Sequence, residues 1–477
     1  MVTTEKHGRH SSGMSLKARI YLALSLFIPF AMIFIYVWIT ATDLAFRDDI
    51  YLIKGGFIES YCKGSLTFAD LWRPSAGIRF LGYNILQVAN IKWFSMNSKL
   101  IVLMIPFLML ASALLIYRDY RKSLAPERSP QFIAATFLVL TLIIFNIIQW
   151  EGLTFPFSLV FQFPVPFFIA SFICLELFLT KGEAKYWPAA LILPALAVLV
   201  FGGSSFIAFA PALGATCICY ILTRCNSLTK EFWLRVVVMG VFLAMLVFLY
   251  MYKIHYNDYF PNSSYRVAEV FARPLEALKF LLAAFGASVV GVDAANAHFS
   301  FRTTVVLGIA VVLLYALALV LFFRSRMYER TYLPFFLITQ TFFYLAFMTM
   351  GRFIYGIEYG MASRYTCVSI YGLAALTWIF IFILVQPLRP NALLKSTICA
   401  GFVMIFAGLL LTTVVEWRIQ PDRKIYFEQI NAIAMRVDTA TPEELAKFEE
   451  RPELVRDSLR LLREHRLNAY CAVPADS

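Results

Sequence analysis

Residues 20–56, IYLALSLFIPFAMIFIYVWITATDLAFRDDIYLIKGG, decide the class of the fold. They open with an apolar run from Ile20 to about Ala41. About 20 such residues, wound as a helix, cross the ~30 Å hydrocarbon core of a bilayer. The run is too long for a signal-peptide core and has no small-residue cleavage site, so it reads as a retained first helix. The polar, basic flank before it, residues 1–19, is expected in the cytoplasm. Asp48 and Asp49 follow the run directly, at the outer mouth of a very apolar chain.

Working outward, the whole chain has the same character. Of 477 residues, 60% are hydrophobic and 15% charged, and the mean hydropathy is +0.71. A soluble domain carries about 25% charged residues. Apolar runs of spanning length recur and alternating ten-residue segments do not, so the reading is an all-α integral membrane protein and not a barrel. The net charge of +12 sits mostly in short connections, the positive-inside pattern. No basic run with interleaved aromatics points to nucleic acid.

Charge bias orders the runs. Leu100 to Tyr117 ends in RDYRKSLAPER (118–128), a cytoplasmic connection. Runs at Phe132–Ile148, Phe157–Leu179, Trp187–Phe201, Phe206–Leu222 and one ending near Tyr252 alternate across the membrane. Leu275–Val292 is taken as re-entrant or interfacial, which keeps Arg324, Arg326 and Arg330 inside. Thr303–Phe323, Tyr332–Met350, Thr366–Val385 and Ser396–Val415 complete about eleven crossings. The expected layout is a cytoplasmic segment 1–19, a membrane domain 20–415 with outer loops at 43–97 and 253–302, and an outer helical tail 416–477. In the tail, Thr441, Pro442 and Glu444 form a capping-box start, and Leu454, Leu459, Leu461 and Leu462 mark an amphipathic helix. Cys62 and Cys471 both fall outside, where disulfides form, and are candidates for a bridge between loop and tail. Cys217 and Cys219, with no histidine near, read as buried structural thiols.

This topology collects the unusual polar residues on one side. The first loop carries Asp43, Asp48, Asp49, Glu59, Asp70, Arg73 and Arg79. Trp150 and Glu151 follow, then His255, Asp258, Arg266, His298 and Arg302, and finally Arg352, Tyr355, Glu358, Arg364 and Tyr365. Charges at membrane depth are costly and point to function. Glycosyl transfer from a lipid-linked donor uses this mixture. A carboxylate takes the proton of an attacking hydroxyl, arginines or a metal ion stabilise the departing phosphate, and aromatics such as Trp72, Trp150, Tyr355 and Tyr359 stack on sugar rings. Plainer readings stand beside this one: a solvated acidic pair, belt tryptophans, and arginines that meet headgroups or pair with Glu358.

RDDIYLIKGG (47–56) with GSLTFADLWRPSAGIRF (64–80) resembles the first outer loop of the GT-C superfamily of polyprenyl-phosphate-sugar-dependent glycosyltransferases. QWEGLTFPFSLVFQF (149–163) and GRFIYGIEYGMASRY (351–365) are similar to recurrent segments of its bacterial members. The nearest in plan are Gtr-type enzymes that decorate O-antigen or other surface glycans. The resemblance implies an inverting transferase in the bacterial inner membrane, with the N-terminus cytoplasmic and the C-terminus periplasmic. The donor would be a polyprenyl-phosphate-linked sugar, and the acceptor a glycan or lipid. Asp48 or Asp49 would be the catalytic base; Arg79, Trp150, Glu151, Arg352, Tyr355, Arg364 and Tyr365 would meet substrate. No cofactor is certain, and a divalent metal (Mg or Mn) is compatible with the acidic pair. Ser75, Ala76 and Gly77 stand where related loops often carry a histidine before the arginine, which weakens a metal role. Two other classes remain: a transporter or flippase of lipid-linked glycan, and an O-antigen polymerase or ligase. The flippase needs charges within several spans, and these runs are nearly free of them apart from Glu176.

Overall fold

Hydroxyl and amide side chains start five of the long helices. Ser15, Ser129, Thr229, Ser300 and Asn391 each accept a backbone N–H of the first turn. Pro130 sits just inside the second of these starts, where its missing N–H removes no bond. The long apolar helices that follow are α1 Leu16–Thr40, α3 Ile105–Leu124, α4 Pro130–Ile144, α5 Pro164–Lys181, α7 Phe206–Arg224 and α8 Lys230–Met251. The rest are α12 Phe301–Arg324, α13 Leu333–Arg352, α14 Thr366–Val385 and α15 Ala392–Met435. Shorter helices are α2 Leu81–Phe94, α6 Tyr186–Ala195, α9 Ser263–Ala272, α10 Pro274–Ala287, α11 Val292–His298 and α16 Pro452–Glu464. The computed structural model describes residues 14–74, 79–125, 127–181, 183, 185–200, 202, 206–224, 229–252, 263–386 and 391–471.

Among the described residues there is no strand, and 10 helices are long and apolar enough to cross a membrane, or up to 11 with one bent pair. The chain is an all-α multi-pass membrane protein. The expected crossing at Trp187–Phe201 is shorter than the others: α6 continues as a π turn, Leu196–Val200. It still joins the two ends of the bundle. Phe178 and Trp187 pack at its start (5.0 Å between centroids), and Gly202 at its far end lies against Phe80 of the first loop.

α14 is the axis, with nearly every side chain from Thr366 to Val385 buried. At one end of the bundle the basic connections tie together. Arg330 donates to the Ser123 carbonyl (2.6 Å) and pairs with Glu127 (2.6 Å), and Arg128 donates to the Val385 carbonyl (3.0 Å). Residues 324–330 therefore lie at the same end as 118–128. α10 and α11 form the bent pair, turned by 101°. α10 crosses α12 where Gly286 meets Gly308; a Cβ on either would run into the other helix's backbone.

α15 runs unbroken through Val415–Glu416, the expected domain boundary, and carries the chain out of the bundle. The tail then folds back over the first loop. Thr441 and Glu444 form the expected capping box, and α16 buries Val455, Leu459, Leu461 and Leu462. Cys62 and Cys471, considered for a bridge, are both free thiols.

Candidate active site

The first loop's acidic residues separate by their partners. Asp43 accepts the Ser98 N–H (2.7 Å), Glu59 pairs with Lys54 and Lys63, and Asp70 closes a capping box with Thr67. These three hold the loop's own structure. Asp48 and Asp49 stand in a single 3₁₀ turn, Arg47–Asp49, that leads into the short helix Ile50–Ile53. Phe46 anchors the turn in a cage of Phe155, Phe427 and Phe448 (5.4, 5.9 and 6.3 Å between centroids). Arg47 takes a left-handed backbone (φ 56°), and its N–H donates to the Phe448 carbonyl (3.1 Å).

The turn sends the two carboxylates in different directions. Asp48 is half-buried. Burial pushes its carboxyl above the ordinary range, and the guanidiniums of Arg364, Arg352 and Arg47 pull it back. Asp49 is only 1% exposed. Its Oδ1 accepts the Tyr83 hydroxyl (2.7 Å), which accepts from Gln87 Nε2 (2.8 Å), which in turn is oriented by Asn90 (3.1 Å). Burial pushes Asp49 up to about 7; Tyr83 and the Phe157 backbone oppose this, and Asp48 adds to it. Of the two expected bases, Asp48 is the more accessible and feels the charges of Arg364 and Arg352, whereas Asp49 is enclosed and bonded to Tyr83.

Asp49 sets a pH dependence of stability. Its folded value lies above the ordinary carboxylate value of 3.8, so between roughly pH 4 and 7 the folded state holds a proton that the unfolded chain has released. Stability falls as pH rises through that window. Asp49→Asn is expected to flatten the fall, on the order of a few kcal/mol across it. Thermal unfolding in detergent at steps from pH 4 to 8 reads this, and an unchanged slope contradicts it.

Two segments from the far end of the chain complete the site. Arg352 closes α13, and Arg364 lies in the 3₁₀ turn Ser363–Tyr365 that opens α14. Arg364 lies over the rings of Tyr359 and Tyr365 (5.2 and 5.6 Å), and its guanidinium donates to the Tyr359 hydroxyl. Glu151 braces the same turn: its Oε2 accepts the Arg364 N–H (3.3 Å), and its own N–H donates to Ser363 Oγ (3.0 Å). Tyr365 is buried, whereas Tyr355 is exposed and lies under Arg352 (5.8 Å) and Arg266 (5.5 Å). Arg266 also donates to the Gly351 carbonyl (3.1 Å) and the Tyr355 hydroxyl (2.9 Å), which brings the second loop to the arginines. The described contacts include no direct ion pair between Asp48 and Arg364; the charges act on one another at longer range.

An apolar cavity of about 310 Å³ lies beside Tyr83, lined also by Leu86, Ala89, Met104, Val160 and Phe163 among others. Tyr83 connects the two regions, one side on the cavity and its hydroxyl on Asp49.

Arg79 and Trp150 each have a further partner, and the remaining outer-loop residues are exposed or lie outside the described residues. Arg79 is buried, lies over Trp72 (5.1 Å), and donates to the carbonyls of Trp72 (3.4 Å) and Tyr252. Trp150 has one face covered by Arg423 at 3.6 Å. His298 and Arg302 are exposed; His255 and Asp258 lie outside the described residues, as do Ser75, Ala76 and Gly77. Among the described residues, no three His, Cys, Asp or Glu side chains are grouped to hold a metal ion. The countercharge beside Asp48 is guanidinium.

Sequence reading missed the cluster under Trp150. Arg423 of α15 donates to the Tyr36 hydroxyl (2.6 Å) and to Glu416, and pairs with Asp293 of α11 (2.6 Å). Glu416 is 0% exposed. Removing one partner of such a buried group costs roughly 3–5 kcal/mol, because the other charge is left uncompensated. Arg423→Ala is expected to destabilise the protein by about that much, with Glu416→Gln in the same chain recovering part of it. Unfolding midpoints of the single and double variants measure this; a single variant within about 0.5 kcal/mol of the parent contradicts it.

The fold defines an all-α multi-pass membrane protein, and its candidate carboxylate–arginine site lies at the end of the bundle opposite the basic connections. No protein-family model, curated protein or solved structure matches the chain.

Proposed function

We propose that the chain is a membrane-embedded inverting glycosyltransferase. It moves a sugar from a polyprenyl-phosphate donor to a glycan or lipid acceptor on the outer face of a bacterial inner membrane. The N-terminus then lies in the cytoplasm and the tail in the periplasm. The observation that carries this reading is that residues 151–155 hold both charged turns: Phe155 packs on Phe46 beside Asp48, and Glu151 binds Ser363 and Arg364, from a segment some 300 residues beyond Asp48 in the chain. The apolar cavity beside Tyr83 supports it by offering room for a lipid tail next to the charged end.

In this mechanism Asp48 accepts the proton of the acceptor hydroxyl as its oxygen bonds to the anomeric carbon. The bond from that carbon to the phosphate oxygen breaks, and the phosphate leaves with the electron pair. Arg364 and Arg352 stabilise the charge that develops on it. Glu151 and Tyr359 hold Arg364 in place, and Tyr355 is exposed for contact with a sugar ring. Asp49, buried on Tyr83, fixes the turn beneath Asp48.

The test is transfer in proteoliposomes carrying the purified protein, polyprenyl-phosphate sugars extracted from host membranes, and surface glycan as acceptor. The reading expects sugar on the acceptor and free polyprenyl phosphate in equal amounts. Movement of the intact lipid-linked sugar between leaflets without transfer supports the flippase class instead.

A further inference from the structure

We propose that Asn468 is a positioning residue: it staples both ends of the first loop to the tail and so sets the place of the Asp48 turn.

Asn468 lies in the last described turn of the chain and is only 1% exposed. Its Oδ1 accepts the Ala45 N–H (2.8 Å), just before the acidic turn. Its Nδ2 group faces the Met96 carbonyl (2.9 Å), Ser98 Oγ (2.9 Å) and Asp43 Oδ1 (3.2 Å). Its own N–H donates to the Ser95 carbonyl (2.6 Å). Residues 43–45 and 95–98 are where the first loop leaves one span and enters the next. One side chain from the tail thus closes a loop of more than 50 residues at its neck. The amide suits the place because it offers an acceptor and two donors on one planar group. The backbone suits it too: φ is 57°, a left-handed conformation that asparagine and glycine adopt more readily than other residues.

The tail grips the same turn at further points. The Phe448 carbonyl accepts the Arg47 N–H (3.1 Å), Glu449 accepts the Tyr51 hydroxyl (3.0 Å), and Ser458 Oγ meets the Lys54 N–H (3.3 Å). Without the staple at Ala45, the turn keeps its sequence and its neighbours but loses its fixed approach to Arg352 and Arg364. A displacement of about 1 Å at a reacting group lowers a rate by up to 10²-fold.

The inference rests on the transferase reading for its kinetic arm only. Asn468→Gly keeps the left-handed backbone accessible and removes the side chain, which separates the staple from backbone strain. In the full-length protein in nanodiscs, hydrogen exchange is followed at residues 44–50, alongside kcat and the donor KM of transfer. The expected result is lost protection at Ala45 and Arg47, spans unchanged, and kcat down about tenfold or more with donor KM within about twofold. Ser458→Ala removes a lesser grip and is expected to move kcat the same way by less, which serves if the glycine variant does not fold. Unchanged protection at 45–47, or lost protection with unchanged kcat, overturns the proposal. A parent protein that shows no transfer with any lipid-linked sugar overturns the transferase reading, while the exchange data still decide the staple.

Discussion

Replacing Asp48 by asparagine is expected to lower sugar transfer by roughly 10²–10⁴-fold, the usual contribution of a positioned general base. The variant should insert and fold as the parent does. Asparagine has the same shape, and Asp48 is half-buried with no ion pair to break among the described contacts. In the proposed mechanism the carboxylate acts when the hydroxyl gives up its proton and not when the donor binds, so the loss should appear in kcat. Asp49→Asn should be milder: Oδ1 still accepts the Tyr83 hydroxyl, and the group is only 1% exposed. The pair of variants therefore ranks the two aspartates. Equal loss from both contradicts the separate roles, and parent-level transfer in the Asp48 variant removes it as the base.

The second large effect is expected at Arg364. Arg364→Ala should lower transfer by about 10²–10³-fold, as loss of a donor to developing negative charge does elsewhere. The defect should track the lipid-phosphate donor and leave the acceptor's KM near its parent value. Arg364→Lys should recover little, because a lysine cannot reproduce a planar guanidinium lying over Tyr359 and Tyr365. Kinetics with donor and acceptor varied separately check this. A defect confined to the acceptor moves Arg364 out of the phosphate site.

The class of fold was legible because it depends on local composition: apolar runs of spanning length, basic short connections, and the capping box at Thr441–Glu444. The site was legible only as a set of residues on one face. Charge bias placed Asp48, Arg352 and Arg364 on one side but carried no information on distance; α13 and α14 bring the arginines to the first loop. The ranking of Asp48 and Asp49 was hidden, since adjacent residues in a 3₁₀ turn point apart and nothing in RDD says which side is walled by Tyr83. The guanidinium that covers one face of Trp150 gave no signal either, because Arg423 lies 273 residues away in the sequence. Asn468 gave no signal: a lone asparagine in a tail carries no pattern, and its partners are about 370 to 425 residues distant in sequence.

The central claim is that Asp48 acts in adding a sugar to a surface acceptor. Its most direct measurement is the mass of surface glycan from host cells that lack the chain, restored with either the parent or Asp48→Asn at equal membrane abundance. The account predicts that the parent adds the mass of a sugar residue and the variant does not. Identical glycan masses with both, or with neither protein present, would contradict it.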